Sequence, residues 1–395
     1  MSKRGGLGKA SRSLRLRGTV SSEGETLAAA RLGLQQPDGE TPASLGFRLP
    51  PEWEKHEATW IAWPHRASDW PGKFAPIRWV YGEIVRRLVA GERVRILVNS
   101  AADEQRARGC LRRIGVHSDQ VNFLRIPTDR GWTRDFGPIF LRRDRPGRNP
   151  LAVAGFRFTG WAKYSNCRRD AKVAGRVSRT LGCQFFRARA AGRDFVLEGG
   201  AIEVNGRGTL ITTEECLLDT DVQTRNPGLG REEIEHALAD YLGATNILWL
   251  GRGIAGDDTH GHVDDLCRFV DPQTVVLCRE DNPNDENYRA LEENRERLQG
   301  MRLEQGSKLE IVCLPMPAPL WLDGQRLPAS YANFYMANAA VLVPTFNDPN
   351  DRLALGLLAE LVRDRPVIGI HAVDLVWGLG TLHCLTQQQP ATWLS

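Results

Sequence analysis

Apolar positions along this chain follow two periods. From residue 47 onward, short runs of Val, Ile, Leu, Trp and Phe bounded by Gly, Pro, Asn and Asp read as strands. Longer stretches with an apolar residue every three or four positions read as helices. The spacing predicts a strand through W-I-A-W that ends at Trp63, a helix over 76–88, a strand over 94–98 and a helix over 102–114. A strand over 121–126 follows, then the polar loop P-T-D-R-G-W-T-R-D-F-G-P and a strand over 139–141. Further helices are expected over 231–242, 286–298 and 351–363, the last behind the cap-like Asp348-Pro349-Asn350.

Four later segments share one shape: a polar or Gly-rich loop, a strand, a tight turn and a second strand. They are R-D-F-G-P-I-F-L, L-E-G-G-A-I-E-V-N-G-R-G-T-L-I-T-T, T-H-G-H-V-D-D-L-C-R-F-V-D-P-Q-T-V-V-L and S-Y-A-N-F-Y-M-A-N-A-A-V-L-V-P. Asn205-Gly206 is the clearest hairpin signal among them. Counted from Trp63, the positions Asp135, Glu198, His262 and Asn333 recur at roughly 65–70 residue intervals, which suits a large repeated α/β unit. Five such units closed into a ring would open their equivalent loops at one end of its axis. Asp135, Glu198, His262 and Cys384, far apart in the chain, would then face one site.

Residues 1–45 lack this patterning. They are rich in Gly, Ser and Arg and read as a flexible basic tail, leaving 46–395 as a single domain. Lys and Arg number 52 against 48 Asp and Glu, and much of the small excess lies in that tail, so the balance does not point to nucleic acid. No run of eighteen apolar residues appears, and no membrane span is expected. The eight cysteines are scattered without C-x-x-C pairs, and no apolar signal segment opens the chain. A reducing cytoplasm is therefore expected. A homo-oligomer is left open.

One cysteine stands in a setting suited to chemistry. Gly378 and Gly380 lead through Leu382 and His383 into Cys384, followed by Thr386, three Gln and Pro390. Glycines let backbone approach a ligand, and the following side chains offer neutral donors. A thiol needs a base or a positive charge beside it to act as a nucleophile. The segment G-D-D-T-H-G-H-V-D-D admits two readings. In one, His260, His262, Asp264 and Asp265 are metal ligands of a hydrolase. In the other, His262 and Asp264 share a strand face, His262 is the general acid/base for Cys384, and the carboxylates clamp a cationic substrate. Carboxylates at Asp135, Glu198, Asp258 and Asp264 would raise the pKa of a lone thiol, and a bound guanidinium would offset them. Trp63 is a candidate aromatic face for that cation.

The segments W-I-A-W-P, W-T-R-D-F-G-P, L-E-G-G-A-I-E-V-N-G-R-G, G-H-V-D-D, S-Y-A-N-F-Y and H-C-L-T-Q-Q-Q-P resemble, in order, the agmatine deiminase and bacterial peptidylarginine deiminase family of guanidino-modifying enzymes. The match runs from about residue 47 to the end. The resemblance implies a five-bladed α/β propeller, the pentein fold, with pseudo-fivefold symmetry and a single catalytic domain. It also implies Cys384 as nucleophile, His262 as acid/base, Asp135 and Asp264 as guanidinium ligands, and Glu198 beside the histidine. Asp258, Asn333 and Gly380 would line the substrate cavity, and no metal or organic cofactor is expected. The implied reaction is hydrolysis of agmatine to N-carbamoylputrescine and ammonia, a step of polyamine metabolism, through a covalent thiouronium on Cys384. Members that act on agmatine usually carry Asp or Asn where this chain has His260, and a glycine run where it has G-L-G-T. Peptidyl-arginine, free arginine derivatives and amidino transfer to an amine therefore stay open as alternatives.

Overall fold

The computed structural model describes residues 40–144 and 150–392. Most of the expected tail lies outside these residues. Its last part does not extend away: Ala43–Leu45 forms a 3-10 turn closed by Gly46 in the left-handed conformation (φ 79°). Such a turn end suits glycine, which has no Cβ to clash.

The chain is mixed α/β, and among the described residues it builds five sheets of three or four strands on one plan. Each contains an antiparallel pair extended by a parallel strand. Ile139–Arg142 and Leu151–Gly155 pair antiparallel, and Gln184–Arg187 joins parallel. Glu203–Val204, Thr209–Thr213 and Asn246–Leu250 repeat the plan. So do Cys267–Phe269, Thr274–Arg279 and Glu310–Pro315, and then Tyr335–Met336, Val341–Thr345 and Val367–His371. Parallel neighbours need a crossover, and a helix supplies it in each case. These helices are Val173–Leu181, Arg231–Leu242, Glu286–Gly300 and Asn350–Leu361.

The remaining sheet joins the two ends of the fold. His56–Ala62 pairs parallel with Arg93–Leu97, which pairs with Val121–Leu124, and its other edge takes the late strand Gln387–Pro390 antiparallel. The crossover helix Phe74–Leu88 buries Ile77, Tyr81, Ile84, Val85 and Leu88, an apolar stripe at helical spacing. Ala101–Arg113 starts at Ser100, whose side chain accepts from the Asp103 amide, and ends on Arg112 and Arg113, which suit a helix C-terminus.

Two expectations change. The stretch around His262 and Asp264 is not a strand. His262 precedes a 3-10 turn over Val263–Asp265, and the strand starts only at Cys267. Trp63 is a core residue, 3% exposed and edge-on to Tyr81 at 6.1 Å, so it offers no face to a ligand.

Candidate active site

Loops and short helical turns that precede or follow the sheet strands carry the chemistry. Asp135 lies on the turn Thr133–Phe136, Glu198 before the turn Gly199–Ala201, and His262 and Asp264 at the turn Val263–Asp265. Cys384 lies on the turn Leu382–Leu385, directly before the Gln387–Pro390 strand. Gly200 shows how closely they meet. A Cβ at this position would fall 2.5 Å from His262 Nδ1, 3.0 Å from Asp135 Oδ1 and 3.0 Å from Asp264 Oδ2.

Cys384 and Asp135 line a cavity of 430 Å³ whose walls include Trp132, Trp161, Tyr164 and Trp377. Asp264 Oδ2 is 3.8 Å from Cys384 Sγ. Asp135 is held from both sides: Trp161 Nε1 donates to Oδ2 at 2.8 Å and the Gly200 amide to Oδ1 at 3.1 Å. Burial, with Asp264 and Glu198 nearby, outweighs His262 and pushes the Asp135 carboxyl up to about 6. Burial alone would raise Asp264 too, but the His383 contact and charge hold it below the usual range.

His262 is 1% exposed, and among the described residues neither ring nitrogen has a hydrogen-bond partner. Asp135 Oδ1 lies 3.8 Å from Nδ1 and Glu198 Oε2 lies 3.6 Å from Nε2. Burial works against a charge here, yet Asp135, Cys216 and Glu198 win and raise its proton affinity well above the ordinary histidine value. Glu198 is fixed by Arg225, whose Nε is 3.3 Å from both carboxylate oxygens. Cys384 moves the other way: burial, then Asp264, Asp265 and Asp135, push its thiol well above the usual range, opposed by the Asn333 contact. In the free protein the sulfur therefore carries a proton, and a cation beside it would favour the thiolate.

Other expected residues take different parts. Asp258 lines the cavity, paired with Lys163 Nζ at 2.6 Å and Tyr164 OH at 2.8 Å. Asn333 is fully buried and supports the sulfur: its Nδ2 donates to Sγ at 3.1 Å and to Asp265 Oδ1 at 3.0 Å. Gly380 is a packing position, since a Cβ there would lie 2.9 Å from the Trp132 ring and 3.2 Å from Cys384 Cβ. Leu379 faces the cavity with a left-handed backbone (φ 67°).

The four-residue metal set is not assembled. His260, with φ 64°, turns its Nε2 to Asp219 at 2.7 Å, away from His262. Among the described residues, the groups close enough to share an ion are Glu198 with Cys216 and His262, and Asp264 with Asp265 and Cys384.

Sequence reasoning missed Trp132, Trp161, Arg225, His383 and Glu52. Trp132 had a signal, standing inside the W-T-R-D motif. Arg225 and Glu52 had none, because only folding brings them against their partners.

Residues 48–390 match the family model described as Porphyromonas-type peptidyl-arginine deiminase. The chain belongs to this family. Within the deiminase family it is 34% identical over 374 residues to agmatine deiminase of Ectopseudomonas mendocina (strain ymp), covering 89% of this chain and 97% of that protein. A structure of Enterococcus faecalis agmatine deiminase superposes with a TM-score of 0.82 at 30% identity, covering 91% of this chain and all of that one. C. jejuni agmatine deiminase with substrate bound gives 0.76 at 29% identity, covering 88% and 97%.

Proposed function

We propose that this deiminase-family chain hydrolyses agmatine to N-carbamoylputrescine and ammonia. One observation carries the reading: the Cys384 sulfur opens onto a cavity walled by aromatic rings, with the Asp264 and Asp135 carboxylates gathered at that end. The relatives named agmatine deiminase supply the substrate.

The guanidinium enters with its positive charge against Asp135 and Asp264, which hold it flat by charge-assisted hydrogen bonds. That charge offsets the acids that keep Cys384 protonated, so the S–H bond breaks and its proton passes to solvent as the guanidinium binds. The thiolate adds to the central carbon, forming an S–C bond. His262 protonates the departing nitrogen, the C–N bond breaks, and ammonia leaves a thiouronium on sulfur. His262 then takes a proton from water as water attacks the same carbon. Collapse breaks the S–C bond, returns the thiol and releases the ureido product.

Two features support closure of the five sheets as a five-bladed propeller around this site. Gln387–Pro390 completes the sheet begun by His56–Ala62, so the chain's late strand seals onto its early one. All five sheet units also contribute to one buried polar cluster, through Glu52, Arg134, Glu203, Arg268 and the Met336 amide. All eight cysteines are free, which supports a cytoplasmic setting.

A panel of guanidino compounds including agmatine, arginine and a peptidyl-arginine tests the reading, with ammonia and ureido product both measured. Agmatine should give equal amounts of the two, and Cys384→Ala should lose essentially all turnover. Ammonia release by that variant near the parent rate would end the covalent route. Chelator should leave activity intact while iodoacetamide abolishes it.

A further inference from the structure

We infer that His383, the neighbour of Cys384 in the chain, is a positioning residue that fixes the Asp264 carboxylate against the sulfur, with Glu52 as its anchor. The inference rests on the deimination reading above.

His383 and Cys384 sit on the same short turn, but their side chains part company. The sulfur lines the cavity, whereas the imidazole is 2% exposed and points into the buried cluster behind it. Its Nδ1 lies 2.6 Å from Asp264 Oδ2, and its Nε2 lies 2.8 Å from Glu52 Oε2. Glu52 is itself immobilised. Arg268 Nη2 donates to it at 2.9 Å, Arg134 Nη2 at 3.0 Å and the Met336 amide at 2.8 Å. The backbone of His383 is tied as well, its amide donating to the Asn333 side chain and main-chain oxygens at 3.1 Å each. The ring is thus a strut between a rigid buried cluster and a carboxylate of the site.

The strut has a consequence for substrate. Asp264 Oδ2 is taken by His383, while Oδ1 is fully buried and has no partner among the described residues. An unpartnered buried carboxylate oxygen costs free energy unless a ligand meets it. Asp264 therefore offers one oxygen to a guanidinium N–H, aimed by the contact at the other. Free rotation about the Cα–Cβ and Cβ–Cγ bonds would lose that aim without removing any group that touches substrate.

Two substitutions separate the two ends of the strut. An asparagine amide places its donor near where Nδ1 stands, and a glutamine amide near Nε2. His383→Asn keeps the Asp264 contact and should hold kcat/KM for agmatine within about threefold of the parent. His383→Gln keeps the Glu52 contact, drops Asp264, and should lose about 10- to 100-fold in kcat/KM, the worth of a hydrogen bond to a charged group. The loss should appear in KM as well as kcat, with thermal melts of the two variants alike. Equal losses in both variants, or the greater loss in His383→Asn, would overturn the assignment. Crystal structures of the variants read the same point without turnover: the Asp264 carboxylate should keep its place in His383→Asn and rotate in His383→Gln. An unmoved Asp264 in His383→Gln sinks the proposal. A parent enzyme inactive on every guanidine sinks the deimination reading and leaves this crystallographic result to decide the strut. If His383→Gln does not fold, His383→Asn alone decides, and a hundredfold loss with Asp264 in place refutes the inference.

Discussion

At the scale of single residues, the proposed nucleophile sits among groups that favour its protonated form. The Cys384 thiol is pushed well above the usual range by burial and three carboxylates. Below a raised pKa the thiolate fraction grows tenfold with each pH unit. Alkylation of Cys384 by iodoacetamide, followed by peptide mass spectrometry, should keep climbing past about pH 10, where an ordinary thiol has levelled off. A plateau near pH 8 would show that the acids do not hold the proton on sulfur. Trp161 is the second case. It donates from Nε1 to Asp135 and also walls the cavity, so Trp161→Phe keeps most of the wall and removes the bond. Steady-state kinetics should show kcat/KM reduced about 10-fold or more, since a hydrogen bond to a charged group is worth about 1.5–3 kcal/mol. Parent kinetics in this variant would mean that Asp135 needs no such support.

The turn Gly199–Ala201 is the element on which three acting groups lean. Gly200 has no room for even one methyl, because His262, Asp135 and Asp264 all stand where it would go. Forcing that methyl in should cost about 1–3 kcal/mol of stability and separate the three side chains. Gly200→Ala should therefore keep a folded circular dichroism spectrum, melt at a lower temperature and lose turnover by far more than its stability loss explains. Full activity would place these groups further apart than described. Elements of this scale were largely legible in sequence. The helices at Phe74–Leu88, Ala101–Arg113 and Arg231–Leu242 follow their apolar spacing closely. Val173–Leu181 escaped notice, because V-A-G-R-V-S-R-T-L carries a glycine and β-branched residues that weaken a helical signal. The Asn205-Gly206 hairpin was visible, but its connection also takes in Arg207 and Gly208, with Asn205 Oδ1 accepting from the amides of Arg207 and Thr209. The H-x-H-x-D pattern misled in its geometry, since period-two reasoning holds only on a strand and this backbone turns. Trp63 misled because an aromatic ring beside a proline looks alike whether it packs inward or faces a ligand. Partners such as Arg225 and Glu52 carry no local pattern, so their roles became visible only when distant segments met.

Across the whole molecule, the buried cluster behind the site ties the sheets to one another. Arg268 is fully buried and holds Glu52 at 2.9 Å, Glu203 at 2.8 Å and the carbonyls of Ala332 and Phe334 at 3.1 and 2.7 Å. Burial would raise the Glu52 carboxyl, but Arg268, His383 and Arg134 outweigh it and hold it well below the usual range. Glu203, equally buried, is pushed up by that burial despite Arg268. Arg268→Met fills a similar volume and removes the cation, leaving both glutamates without it. Breaking such a buried pair costs about 3–5 kcal/mol, or roughly 4–7 °C in melting temperature for a domain of this size. The sign of its pH dependence follows. Without Arg268 both carboxyls rise in the folded state, so the variant takes up protons on folding and its stability falls as pH climbs through those raised values. Thermal melts from pH 5.5 to 8.5 should show the deficit against the parent widening toward pH 8.5 and narrowing toward pH 5.5. A deficit independent of pH would mean that Arg268 acts through packing alone, and that the charges joining the five sheets do not hold them together.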